Sequence, residues 1–252
     1  MYGVYQINIY NTKMRVLYID IETTGLSIKT ENITVIGIVV SEYRVPRTNN
    51  VSGIEILRKC FNVCLAIEEG TEIQMKQNVL QEMENCDIMV AYNGIKFDTP
   101  FILKWLGIEE RKQEFDDKTL DFYNVNRIIL SKSISMQQMC INNKIVAEKY
   151  ANGKQAVIWA SERNWTELEY YCMQDVNVMI MLTEKAISTG LLLINYGGNK
   201  NSSYTTDMYF ETTVLFSETW VPMLPIKDTK TNIAANSTSV NIYDIDFKRI
   251  FS

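Results

Sequence analysis

The chain has 252 residues, of which 46% are apolar and 22% charged, with a formal net charge of -5. That is globular composition for one large domain, or a domain with an appendage, and it argues against a protein that coats nucleic acid through a broad basic surface. Histidine is absent, which excludes a Ser-His-Asp hydrolase, a Cys-His protease, a histidine-ligated zinc site and a histidine general base.

In chain order, Val16 to Glu22 reads as a β-branched, apolar strand that ends at a Thr23-Thr24-Gly25 turn. Ile33 to Val40 is a second strand. A third is expected within Gly53 to Val63, a stretch that also admits a helical reading. Thr71 to Asn85 carries Ile73, Met75, Val79, Leu80 and Met83 near helical spacing. Ile88 to Tyr92 is short and apolar throughout, as suits a strand buried on both faces of a mixed sheet. Thr99-Pro100 then opens a helix through Trp105, with Pro at its favoured first position. Leu120 to Leu130 and Ile134 to Asn142 read as helices. Thr166-Glu167-Leu168-Glu169 is a capping box that starts a helix running to about Ser188 and ended by Gly190. After Ile194 the texture changes to Gly, Asn, Ser and Thr, and a β-rich C-terminal extension is expected. The order implies an α/β fold with a mixed central sheet flanked by helices. The division expected is a main domain over 1–194 and an extension over 195–252.

The five cysteines, Cys60, Cys64, Cys86, Cys140 and Cys172, are odd in number and irregularly spaced, so reduced thiols in a cytoplasm-like compartment are expected. Cys60 and Cys64 lack the partners of a zinc site. No apolar run approaches the length of a membrane span, and Met1 to Tyr5 has no secretory pattern.

Three short motifs carry the chemistry. The first is Asp20-Ile21-Glu22-Thr23-Thr24-Gly25-Leu26. Strand side chains alternate, so Asp20 and Glu22 share a face with Val16 and Tyr18, ~6–7 Å apart along the chain. Such a pair can chelate a hard divalent cation. The second is Asn93-Gly94-Ile95-Lys96-Phe97-Asp98. The third is Tyr171-Cys172-Met173-Gln174-Asp175, where Leu168, Tyr171, Cys172, Asp175, Val178 and Met179 follow helical spacing. Asp175 therefore lies on or beside the buried stripe, where a carboxylate must be paired, hydrogen-bonded or metal-bound. Each motif alone has a plainer reading: a solvated strand end, a helix cap at Asp98, a core tyrosine with a capped aspartate.

Taken together and in this order, the motifs resemble the Exo I, II and III motifs of the DEDD (DnaQ-like) 3′→5′ exonuclease superfamily on a ribonuclease-H-like fold. The Tyr-x-x-x-Asp spacing of the third is similar to the tyrosine subclass, DEDDy, as in the exonuclease domains of family B DNA polymerases. The resemblance covers roughly residues 14 to 190. It implies that Asp20, Glu22, Asp98 and Asp175 hold two Mg²⁺ or Mn²⁺ ions, with Asp20 bridging both, and that Tyr171 orients the attacking water. It implies hydrolysis from the 3′ end of DNA, with RNA open, and release of nucleoside 5′-monophosphates.

By the same resemblance Thr23, Thr24 and Leu26 meet the terminal nucleotide, and Asn93 and Phe97 line the path of the strand. Lys96, Lys144, Lys149 and Lys154 are available to phosphates, with none singled out. The expected partner is a single-stranded 3′ end, not a membrane, with a protein partner through the extension. Two alternatives stay open: a catalytically retired binding protein on the same fold, and a ribonuclease-H-like endonuclease. The Ile-, Asn- and Lys-rich composition hints at an AT-rich, viral or phage genome.

Overall fold

A computed structural model describes residues 12–45, 55–66, 72–130, 133–146, 151–189, 191–197 and 203–209. The core is a five-stranded sheet. Strand β1 spans Thr12–Thr23, β2 Ile33–Val45, β3 Glu55–Ala66, β4 Ile88–Ala91 and β5 Thr119–Asp121, in the spatial order β3-β2-β1-β4-β5. The first three strands form an antiparallel meander, while β4 and β5 run parallel to β1. The expected mixed sheet is present, and the ambiguous third segment is a strand. Central β1 is bonded to β4 over Val16–Tyr18 and to β2 along its whole length, so its last residues run past β4 with β2 as their strand partner.

Helix α1 spans Glu72–Asn85, α2 Asp98–Leu106, α3 Lys112–Asp116, α4 Phe122–Leu130, α5 Met136–Asn142, α6 Gly153–Glu162 and α7 Trp165–Thr189. Alternation along β1 sorts the core into two layers. Leu17, Ile19 and Ile21 pack with Val79 and Met83 of α1, Phe101 and Leu103 of α2, and Phe115 of α3. Val16 and Tyr18 face the other way, against Phe122 and Val125 of α4, Met139 of α5, and Val176 and Met179 of α7. Asp20 and Glu22 continue that second face to the point where the sheet ends.

Several boundaries differ from the sequence reading. Leu120 begins no helix: Thr119–Asp121 is a buried strand, and α4 starts at Phe122. Helix α2 begins at Asp98, so Pro100 is its third residue, still within the first turn whose amides lack helical partners. Helix α7 begins at Trp165, which puts Thr166 inside the first turn and not ahead of it. Helix α6, absent from the sequence reading, is capped by Asn152, whose Oδ1 accepts from the amides of Lys154 and Gln155.

Strands β6 (Leu191–Gly197) and β7 (Ser203–Tyr209) form a separate antiparallel hairpin. The Asn143 side chain ties β6 to α5: its Nδ2 donates to the Leu193 carbonyl at 3.0 Å and its Oδ1 accepts from the Leu193 amide at 2.8 Å. The amide group thereby pairs with the strand as a neighbouring backbone would. The rest of the expected extension, 198–202 and 210–252, lies outside the described residues, as do Gly190 and Lys149. Among the described side chains, Cys86, Cys140 and Cys172 are buried and form no disulfide. No described helix is long and apolar enough to cross a membrane.

Candidate metal centre and nucleic-acid cleft

Strand register explains how the first motif meets the third. Asp20 pairs with Gly37 of β2, so the two share a face. A Cβ on Gly37 would fall 2.7 Å from Cys172 Sγ and 3.2 Å from a Val176 methyl. The missing side chain lets α7 press directly onto the sheet. Cys172 Sγ then lies 3.5 Å from the Asp20 carbonyl, to which it donates. Asp175, three residues on, is carried over the strand end. The result is a cluster of Asp20, Glu22 and Asp175 with one oxygen of each within 4.8 Å of the others.

Asp98 reaches the cluster by another route. Asn93 adopts a positive φ of 70°, and its carbonyl accepts from the amides of Lys96 and Phe97. Gly94 packs so tightly in this turn that a Cβ there would lie 2.3 Å from Ala91 Cβ. The turn delivers Asp98, 4% exposed, against β1, where its Oδ1 accepts from the Ile21 amide at 3.2 Å. The carboxylate therefore bonds across to the strand as well as to its own amide, while the N-cap position of α2 falls to Phe97. It stands apart from the close group of three but bears on it electrostatically.

Charge and burial act together here. Desolvation, then the charges of Asp98, Asp175 and Glu22, holds the Asp20 carboxyl well above the usual carboxylate range. Desolvation, then Asp175 and Asp98, pushes Glu22 up to about 9. Desolvation raises Asp98 to about 7, with Asp121 and Asp175 adding to it against the amides it accepts from. Carboxylates that repel one another in a buried site are stabilised as anions by a bound cation. Clustered oxygen donors with no nitrogen or sulfur in the set suit hard Mg²⁺ or Mn²⁺. On this test the residues present fit a divalent metal.

Tyr171 lies one turn before Asp175 on α7 and is half-buried. Its ring meets Trp159 of α6 edge-on, with centroids 6.2 Å apart. Desolvation first, then the charges of Asp175, Glu22 and Asp20, raises the phenol above its ordinary value. It therefore stays protonated at neutral pH.

A cleft of about 600 Å³ opens beside the cluster, with Glu22, Thr23, Leu26 and Phe97 on one part of its lining and residues of α6 on another. Leu26 is 85% exposed. Phe97 packs on Phe101, with ring centroids 4.9 Å apart. Thr23 and Thr24 are engaged within their own turn: Thr23 Oγ1 donates to the Gly25 carbonyl at 2.6 Å, and Thr24 Oγ1 donates to Glu31 Oε2 at 2.6 Å. These bonds brace the loop that presents Leu26. Lys96, Lys144 and Lys154 are exposed; of the three, Lys154 lines the cleft.

The sequence reading passed over Asp121. This residue, 2% exposed, accepts from four backbone amides: Asn93 at 2.8 Å, Ile95 at 3.1 Å, Tyr123 at 3.0 Å and Asn124 at 3.2 Å. One carboxylate thus caps α4 and fixes the turn that carries Asp98. An aspartate placed just ahead of a helix was the available signal. Gly37, Trp159 and the first turns of α6 were also missed.

A family model for the RNase_H superfamily matches residues 17–187. The chain belongs to the RNase_H superfamily. No curated protein matches it. Among solved structures it is similar to the family B DNA polymerase from the hyperthermophilic archaeon Pyrobaculum calidifontis, at 15% identity and a TM-score of 0.46, over 69% of this chain and 24% of that one. It is also similar to an ExoI/SSB-Ct complex, at 10% identity and a TM-score of 0.42, over 69% of this chain and 41% of that one. The zinc-bound E. coli ExoI-ssDNA complex aligns at 9% identity and a TM-score of 0.39, over 70% of this chain and 41% of that one. The chain therefore spans between a quarter and two-fifths of the length of these solved chains.

Proposed function

We propose that this RNase_H superfamily chain is a metal-dependent 3′→5′ exonuclease of the DEDDy type, acting on single-stranded DNA. One observation carries the reading: oxygens of Asp20, Glu22 and Asp175 gather within 4.8 Å at the end of the central strand, with Asp98 anchored beside them on the Ile21 amide. In this reading Asp20, Glu22 and Asp175 hold a divalent cation and Asp98 supports a second. The cations supply Lewis-acid charge to the scissile phosphate and the leaving oxygen.

The chain's own residues do the rest. Pairing with β2 fixes Asp20 and Glu22, and α7 fixes Asp175 relative to them. Tyr171, protonated at neutral pH, orients the attacking water by hydrogen bonding and does not serve as a general base. Leu26 and Phe97 offer apolar surface to the terminal base, as stacking on a single strand requires. The product is a nucleoside 5′-monophosphate. Three substrates test the polarity: a linear single strand, the same strand with a blocked 3′ end, and a circle. The first is degraded and the other two persist; cleavage of the circle contradicts the reading.

A further inference from the structure

Helix α6 contributes a face to the cleft that neither the motifs nor the carboxylates account for. Gly153 and Val157 lie one turn apart on the same side of this helix, and both line the cleft that ends at Glu22. The helix docks by a different side. Ala156 is buried, and Trp159 and Ala160 pack with Leu168 and Cys172 of α7. Val157 is left 38% exposed outside that contact. A Cβ on Gly153 would meet nothing within 4 Å, so the space in front of it is open.

The cleft therefore gathers apolar surface from three separate places: exposed Leu26 in the loop after β1, half-buried Phe97 in the turn before α2, and Val157 on α6. Its lining includes acidic Glu22, a member of the carboxylate cluster, and the cation of Lys154. A volume of about 600 Å³ falls in the range of sites for small organic groups. The occupant that matches is flat and apolar on its faces, and is joined to a phosphate that reaches the carboxylate end through bound cations. A nucleobase at a strand terminus has that form.

Resting on the nuclease reading above, we infer that the first turns of α6 form the second wall of a nucleobase pocket, with Gly153 and Val157 completing the surface begun by Leu26 and Phe97. The pocket takes one unpaired terminal base. Because every base has an apolar face, selection is for an unpaired end and not for sequence. Specificity for single strands then comes partly from α6, outside the three motifs.

The test uses an oligothymidylate carrying 2-aminopurine at its 3′ end, joined by a cleavage-resistant phosphorothioate, with the full chain and Mn²⁺. Stacking quenches the probe, whereas the same probe at the 5′ end is unaffected. Gly153→Phe, which fills the open space, and Val157→Asp each abolish the quench. On a cleavable strand each raises KM about tenfold with little change in kcat, the scale of one lost base stack. Both keep the Mn²⁺-induced rise in Tm. Ile158→Asp, on an exposed position outside the cleft lining, keeps the wild-type KM. Variants that retain the wild-type quench and KM overturn the α6 wall and leave the nuclease reading standing. Loss of the quench only together with the Mn²⁺ shift, in both variants, assigns the effect to the fold and also overturns it. A wild-type chain that neither quenches the probe nor releases mononucleotides overturns both readings.

Discussion

Gly37 and Cys172 approach so closely that a Cβ on the glycine would sit 2.7 Å from the cysteine sulfur. This contact between β2 and α7 sets the height of the helix above the sheet, and with it the position of Asp175 over Asp20 and Glu22. Gly37→Ala should push α7 outward, at a cost of roughly 1–3 kcal/mol typical of overpacking. The expected signature is a lower Tm together with weaker Mn²⁺ binding by calorimetry. A variant that loses stability but keeps full Mn²⁺ affinity would show that the contact serves the core alone.

Asp121 is expected to act at a distance from the chemistry. Asp121→Ala leaves several buried amides without an acceptor and should cost about 2–3 kcal/mol. It should also lower kcat by loosening the turn that holds Asp98. Asp121→Asn keeps one acceptor oxygen and should recover part of both losses. Denaturant melts and steady-state kinetics on the same preparations separate the two effects.

How far the sequence revealed the site follows from what each residue depends on. Asp20 and Glu22 were readable because strand alternation is local. Asp175 was readable because α7 is long and its buried stripe regular. Strand β5 was not, since three residues running straight into a helix leave no period to detect. Asp121 was obscured because its partners are backbone amides, which have no signature in side-chain identity, and because a helix read from Leu120, two residues early, takes Asp121 inside it. Gly37 matters only through a helix far away in sequence. Helix α6 buries little apart from Ala156, so its apolar pattern is weak despite the Asn152 cap.

The raised carboxyls predict how stability changes with pH. With Glu22 at about 9 and Asp98 at about 7 in the folded protein, against ordinary values near ~4 when unfolded, the native state binds more protons than the unfolded state. Stability without metal should therefore fall as pH rises, from about pH 4 to about pH 9, the reverse of a salt-bridged carboxylate. Saturating Mg²⁺ or Mn²⁺ should flatten that slope by replacing the protons. Thermal melts across this window, with EDTA and with each cation, check it. A slope unaffected by cation would contradict the assignment of a metal site to these groups.

Tyr171→Phe should lower kcat by about tenfold or more, as expected for a misoriented nucleophile. KM and the Mn²⁺-induced rise in Tm should be retained. The rate of the wild type should show no step attributable to ionisation of the phenol below pH 9, because Tyr171 is raised above its ordinary range.

In the proposed reaction the clustered carboxylates serve to remove one nucleotide at a time from a 3′ end. A 5′-labelled single-stranded oligonucleotide, sampled over time with Mg²⁺, Mn²⁺ or EDTA, tests it most directly when wild type is run beside the Asp20→Ala, Asp175→Ala double variant. The expected result is a ladder shortening by single nucleotides with 5′-monophosphate release, dependent on the cation and absent from the folded double variant. Shortening in EDTA, an equal ladder from the double variant, or no shortening by wild type with either cation would contradict it.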